Sequence, residues 1–88
     1  MTLASYHSKR GKTQEAADFL AEVVASDAYN EEAQYQLIGA YIEGGQPFVA
    51  LQQLRRYARL CADELGIALP RRFENCHRKI LALIPKIA

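Results

Sequence analysis

Histidine and cysteine are scarce, two of each in 88 residues, and that scarcity removes most site chemistry at the start. His7 and His77 stand seventy positions apart and belong to no H-x-x-x-H arrangement. Cys61 and Cys76 have fourteen residues between them and form no C-x-x-C pair, so metal-ligand spacing is missing and no cofactor is expected. Each cysteine falls inside a helical apolar pattern and reads as a buried thiol, because free cysteine behaves as a small hydrophobe. No stretch approaches the ~20 apolar residues of a membrane span, and no basic-then-apolar signal segment opens the chain; a cytoplasmic protein without membrane contact is expected. An excess of one charge is also lacking. Eleven Lys+Arg against ten Asp+Glu leave a net +1, which neither demands nor excludes a nucleic-acid partner.

What is present is 50% hydrophobic side chains, enough for one domain near the size at which burial only just offsets chain entropy. The charges are segregated. Residues 1–44 carry three basic and seven acidic side chains (−4), residues 45–88 eight basic and three acidic (+5), so an acidic end and a basic end are expected.

No segment sustains the two-residue alternation of a strand, and the pattern is all-α, with about five helices. Leu3, Ala4, Tyr6 and His7 permit a short first helix over about 2–10, stopped by Lys9-Arg10 and Gly11. Thr13 can cap a second helix over about 14–26, with Glu15 in its first turn and Ala16, Phe19, Leu20, Val23 and Val24 as its apolar stripe. Asn30 caps a third, with Glu31 and Glu32 behind it and Ala33, Leu37, Ile38 and Tyr41 facing inward; Tyr35 lies to one side, and Gly44-Gly45 ends the helix. Pro47 opens a fourth helix close to twenty residues long, carrying Val49, Ala50, Leu51, Leu54, Tyr57, Ala58, Cys61 and Leu65, with Gly66 as its stop. Ile67 and Leu69 are candidate plugs in the connection. Pro70 opens the last helix, where Phe73, Cys76 or His77, Ile80, Leu81 and Ile84 recur before Pro85 closes it.

A 34-residue spacing relates the halves: Leu3, Ala4, Gly11, Ala16 and Leu20 correspond to Leu37, Ile38, Gly45, Ala50 and Leu54. That is the period of a tetratricopeptide unit, an antiparallel helix-turn-helix whose apolar face its neighbour must cover. The expectation is a single tetratricopeptide-like domain with units at about 1–29 and 30–66 and a capping helix at about 70–84. Ala16 and Ala50 would let paired helices approach, and Gly11 and Gly45 would supply left-handed turns. The aromatic usual near the start of each first helix is absent, and Gln34 stands there in the second unit.

Catalytic constellations are poorly supported. Ser5, Ser8 and Ser26 occur in helix or turn contexts without an elbow motif, and the neighbours Glu31-Glu32 and Asp63-Glu64 diverge on a helix, where dipole compensation explains a first-turn pair. Gly11-Lys12-Thr13 ends like a P-loop, but Tyr6 stands where the earlier glycine belongs and no strand precedes it. The chain is not expected to be an enzyme.

Residues 13–70 resemble the C-terminal portion of the bacterial transcriptional activator domain, the tetratricopeptide-like module of Streptomyces antibiotic regulatory proteins and related regulators. Asp27-Ala28-Tyr29-Asn30-Glu31-Glu32-Ala33 is similar to its Asp-Pro-x-x-Glu-Glu-Ala, and Asp63-Glu64-Leu65-Gly66-Ile67 to its Glu-Glu-Leu-Gly-Val. Leu37, the Tyr41 to Gly45 turn, Ala50-Leu51 and Arg55-Arg56-Tyr57 also fit. Ala28 departs from the usual proline, and Ala68-Leu69-Pro70 from Glu-Pro-Ser-Pro. In those regulators the module follows a winged-helix DNA-binding domain. The resemblance implies a piece of a longer regulator, with DNA read by a separate domain absent from this chain.

The expected role is therefore contact with protein, either self-association as a homodimer or docking onto transcription machinery. Tyr29, Tyr35 and Phe48 are candidate contacts because they fall beside the helix stripes or at helix starts, although capping the core would place them equally well. Arg55, Arg56 and Arg59 on the fourth helix, with Arg71 and Arg72 at the fifth, form a basic set. A solvated face, an acidic protein surface and phosphate contact remain open for it, but exposed aromatics do not interleave it as in single-strand binders.

Overall fold

The computed structural model describes the backbone of residues 2–84 and the side chains of residues 13–84. The helices are α1 (Thr2–Ser26), α2 (Glu31–Glu43), α3 (Pro47–Leu60), continued by a π-helical turn at Cys61–Leu65, and α4 (Arg72–Leu83). No strand occurs among the described residues. The all-α, tetratricopeptide-like reading holds, in a slab of 49 × 38 × 18 Å.

The first two expected helices are one. Backbone helix runs unbroken through Gly11, so the turn assigned to that glycine and the N-cap assigned to Thr13 do not form. A single glycine inside a helix costs only about 1 kcal/mol relative to alanine, and no proline stands nearby to stop propagation. Thr13 instead comes close to the α2 terminus, its Cγ2 lying 3.6 Å from where a Gly44 Cβ would stand. The side chains of Leu3, Ala4, Tyr6 and His7, and Pro85 as a helix stop, lie outside the described residues.

Local signals fix the other boundaries. Asn30 Oδ1 accepts from Ala33 N at 3.0 Å, satisfying one of the donors that every helix start leaves unpaired. Gly45 (φ 76°) makes the left-handed turn after α2, and Pro47 starts α3. Gly66 (φ 65°) ends the π-helical turn. There the Cys61 carbonyl accepts from both the Gly66 and Ile67 N–H groups.

The main core lies where α2, α3 and α4 meet. Ile38, Ala50, Cys61, Phe73 and Ile80 are fully enclosed there, with Leu54, Tyr57 and Cys76 almost so. Phe73 sits between Tyr35, edge-on at 5.6 Å, and Tyr57, tilted at 5.1 Å. Both thiols are free and buried, as the helical pattern required, whereas His77 is exposed. Leu69 packs against this core, but the other expected plug, Ile67, is 48% exposed, because the left-handed Gly66 redirects the chain before it can turn inward.

Burial, with Cys61 beside the ring, pushes the Tyr57 phenol up to about 12 from an ordinary 10.0. A raised folded-state value contributes stability that is complete below pH 10 and is lost as pH rises through about 12. The thermal midpoint should therefore fall between those two pH values, and Tyr57→Phe should shrink that fall. An unchanged pH profile in the variant would show that Tyr57 does not carry the effect.

The α1–α2 contact is extensive but encloses few side chains among the described residues. Ala17 of α1 is buried, together with Ala33 and Leu37 of α2. Gln34, buried in spite of its amide, donates from Nε2 to the Ala28 carbonyl at 2.9 Å and accepts from Gln53 Nε2 at 2.8 Å. It joins the loop before α2 to α3 by hydrogen bonds, at the position where repeats of this kind usually pack an aromatic ring.

Candidate functional site

The repeat correspondence gives Ala16 and Ala50 the same role, but the structure separates them. Ala50 is fully buried between paired helices, whereas Ala16 is exposed and the buried alanine on α1 is its neighbour Ala17. Phe19, expected in the buried stripe, is 65% exposed. The stripe on α1 is wider than one neighbouring helix can cover, and docking on α2 uses the Ala17 side.

Three of the candidate partner contacts are engaged internally: Arg72, Tyr35 and Tyr29. Arg72 Nη1 lies 3.0 Å from Glu32 Oε1, and its Nε lies 3.0 Å from Glu31 Oε2. The Nε–H does not point along that second line, so the Glu31 contact is one of charge rather than a directed hydrogen bond. The guanidinium also lies over the Tyr35 ring, 4.5 Å from its centroid, where the ring quadrupole attracts it. Gln36, donating at 2.8 Å, and then Arg72 hold the Glu32 carboxyl below its ordinary range. This cluster joins the first turns of α2 and α4 and occupies the carboxylates that might otherwise have been read as an acid–base pair.

Tyr29 is half exposed and donates its hydroxyl to Glu64 Oε1, fastening the α1–α2 loop to the π-helical turn. That bond is the main reason its phenol is raised above the ordinary value. Phe48 stands 59% exposed in the first turn of α3. Arg55, Arg56, Arg59 and Arg71 are exposed, and none has an ion-pair partner among the described residues. Arg55 and Arg56 diverge: Arg55 lines a groove of about 240 Å³ with Leu51, Leu69 and His77, and Arg56 one of about 420 Å³ with Val24, Leu37 and Tyr41. A third groove of about 390 Å³ runs between α1, α2 and α4 along Leu20, Tyr35, Ile42 and Lys79.

The sequence reading missed the solvent face of α1. Glu15, Asp18, Phe19 and Glu22 are all exposed on the side opposite Ala17. Three- and four-residue spacing linked them from the start, but Phe19 had been assigned inward.

Among the described residues, no group of His, Cys, Asp and Glu could hold a metal, and no helix is long and apolar enough to cross a membrane. Stacked antiparallel helices whose polar clusters are caps and ion pairs define a tetratricopeptide-like helical scaffold. The family model described as bacterial transcriptional activator domain matches residues 1–81, and the chain belongs to that family. It is a module of transcription regulators, from a family that is not one of enzymes. The match includes the residues ahead of 13, which the motif resemblance had not covered. No curated protein and no solved structure matches the chain.

Proposed function

We propose that this module works by binding protein, without catalysis and without reading nucleic acid itself. The reading rests on large apolar side chains left at the surface of three helices, with Phe19 65%, Phe48 59% and Leu81 55% exposed. Exposed aromatic and aliphatic groups rimmed by charge are the usual composition of a protein-contact surface. Partners of this kind are a second copy or transcription machinery, in a cytoplasmic setting. DNA would be read by a separate domain outside this chain, and residues 1–88 would act as one folded unit.

One observation favours direct nucleic-acid contact instead. Arg55 and Arg59 share the outer side of α3 and are free to meet phosphates. Electrophoretic mobility of duplex and single-stranded DNA with the 88-residue chain, at about 50 mM and about 200 mM salt, separates the two readings. Protein contact predicts no retardation at either concentration. Retardation at low salt that fades steeply at the higher, and that Arg55→Glu with Arg59→Glu removes, would overturn it.

A further inference from the structure

The outer faces of α1 and α3 are opposite in charge. On α1, Glu15, Asp18 and Glu22 flank Phe19 on one side, and all four are exposed. The side of α3 opposite Ala50, Leu54 and Tyr57 presents Phe48, Gln52, Arg55 and Arg59, also exposed. Neither the three acids nor Arg55 and Arg59 are spent on an ion pair among the described residues; Asp18 accepts from Gln14 Nε2 at 2.9 Å.

Resting on the protein-contact reading, we infer that a second copy of this chain is the partner, its α3 outer face seated on the α1 outer face of the first. The charges select this pairing. Placing α1 on α1 brings acid to acid, and α3 on α3 brings arginine to arginine, and both arrangements repel. The α1–α3 combination instead sets carboxylates against the Arg55 and Arg59 guanidiniums. At 1.5 Å per residue the acidic strip from Glu15 to Glu22 runs about 10 Å, long enough to span the Arg55 to Arg59 turn.

The two faces differ, so the contact is heterologous: each copy offers one face to the copy before it and the other to the copy after it. Such contacts extend in a row unless the rotation between copies closes a ring. One helix face on another is a small interface, so the association is weak, fast and salt-sensitive.

Sedimentation velocity of the 88-residue chain over a rising concentration series, at about 50 mM and about 500 mM salt, reads this directly. The weight-average sedimentation coefficient is expected to rise with concentration at low salt and to stay at the monomer value at high salt. Two charge reversals then identify the faces. Glu15→Lys with Asp18→Lys and Glu22→Lys should be monomeric alone, as should Arg55→Glu with Arg59→Glu. Their equimolar mixture should associate again, because each reversed face now meets an opposite one. Circular dichroism checks that each variant is folded, and Phe19→Ala and Phe48→Ala provide a second route that keeps all charges. A wild-type chain that is monomeric throughout, or a mixture that stays monomeric, overturns the self-contact. Either result without DNA retardation leaves contact with another protein standing, whereas retardation removes the wider reading as well.

Discussion

Replacing Phe73 by alanine is expected to cost about 3–5 kcal/mol of stability. Phe73 is fully enclosed and is the largest such side chain in the molecule's core. Its ring contacts Tyr35 and Tyr57, so truncation removes both aromatic pairings and leaves a cavity where α2, α3 and α4 meet. Native chains hold only about 0.05–0.15 kcal/mol per residue. For 88 residues the loss is therefore a large share of everything available. Each kcal/mol moves the midpoint of a domain this small by about 4–8 °C, so the thermal midpoint should fall by about 12 °C or more. Thermal melts followed by circular dichroism measure it. A fall of only a few degrees would mean that α4 is not seated on the core.

The second prediction is a contrast between two alanines that the 34-residue spacing treats as equivalent. Ala50→Leu forces a larger side chain into a fully buried site between α2 and α3, which should destabilise by about 1–3 kcal/mol. Ala16→Leu adds the same atoms at an exposed position on α1 and should stay within about 0.5 kcal/mol of the parent. Urea denaturation of the two variants against the parent decides between the repeat pattern and the observed packing. Equal losses would mean that α1 docks through Ala16 after all, and equal tolerance would mean that α2 and α3 are not closely packed.

That contrast also marks how far the sequence could be read. Signals held within a few residues were legible: the Asn30 cap, Pro47 at a helix start, Gly45 and Gly66 as left-handed turns, and the inward Cys61, Phe73, Cys76 and Ile80. Each depends on backbone geometry or on one helix's own periodicity. Gly11 was misread because a glycine permits a turn without requiring one, and the residues on either side propagate helix. Ile67 was misread because the direction of the chain after a left-handed glycine is not written in its hydrophobicity.

The candidate site was less legible. Arg72 and Tyr35 looked available to a partner, yet they bind each other and the first turn of α2, an arrangement that exists only once α4 has folded back. Phe19 looked buried and is exposed, and with it the acidic strip on α1 became a face in its own right. The divergence of Arg55 and Arg56 into separate grooves likewise follows from which neighbours flank α3.

By itself the sequence determined the all-α class, most helix limits, the thiols' burial and membership in a family of transcription-regulator modules, because periodicity, caps and spaced motifs act over short distances along the chain. Tertiary structure alone decided that α1 runs unbroken, that Ala17 rather than Ala16 is buried, and which charges are neutralised and which stand free. Those outcomes depend on how wide an apolar stripe each neighbouring helix can cover, a quantity that no single helix contains.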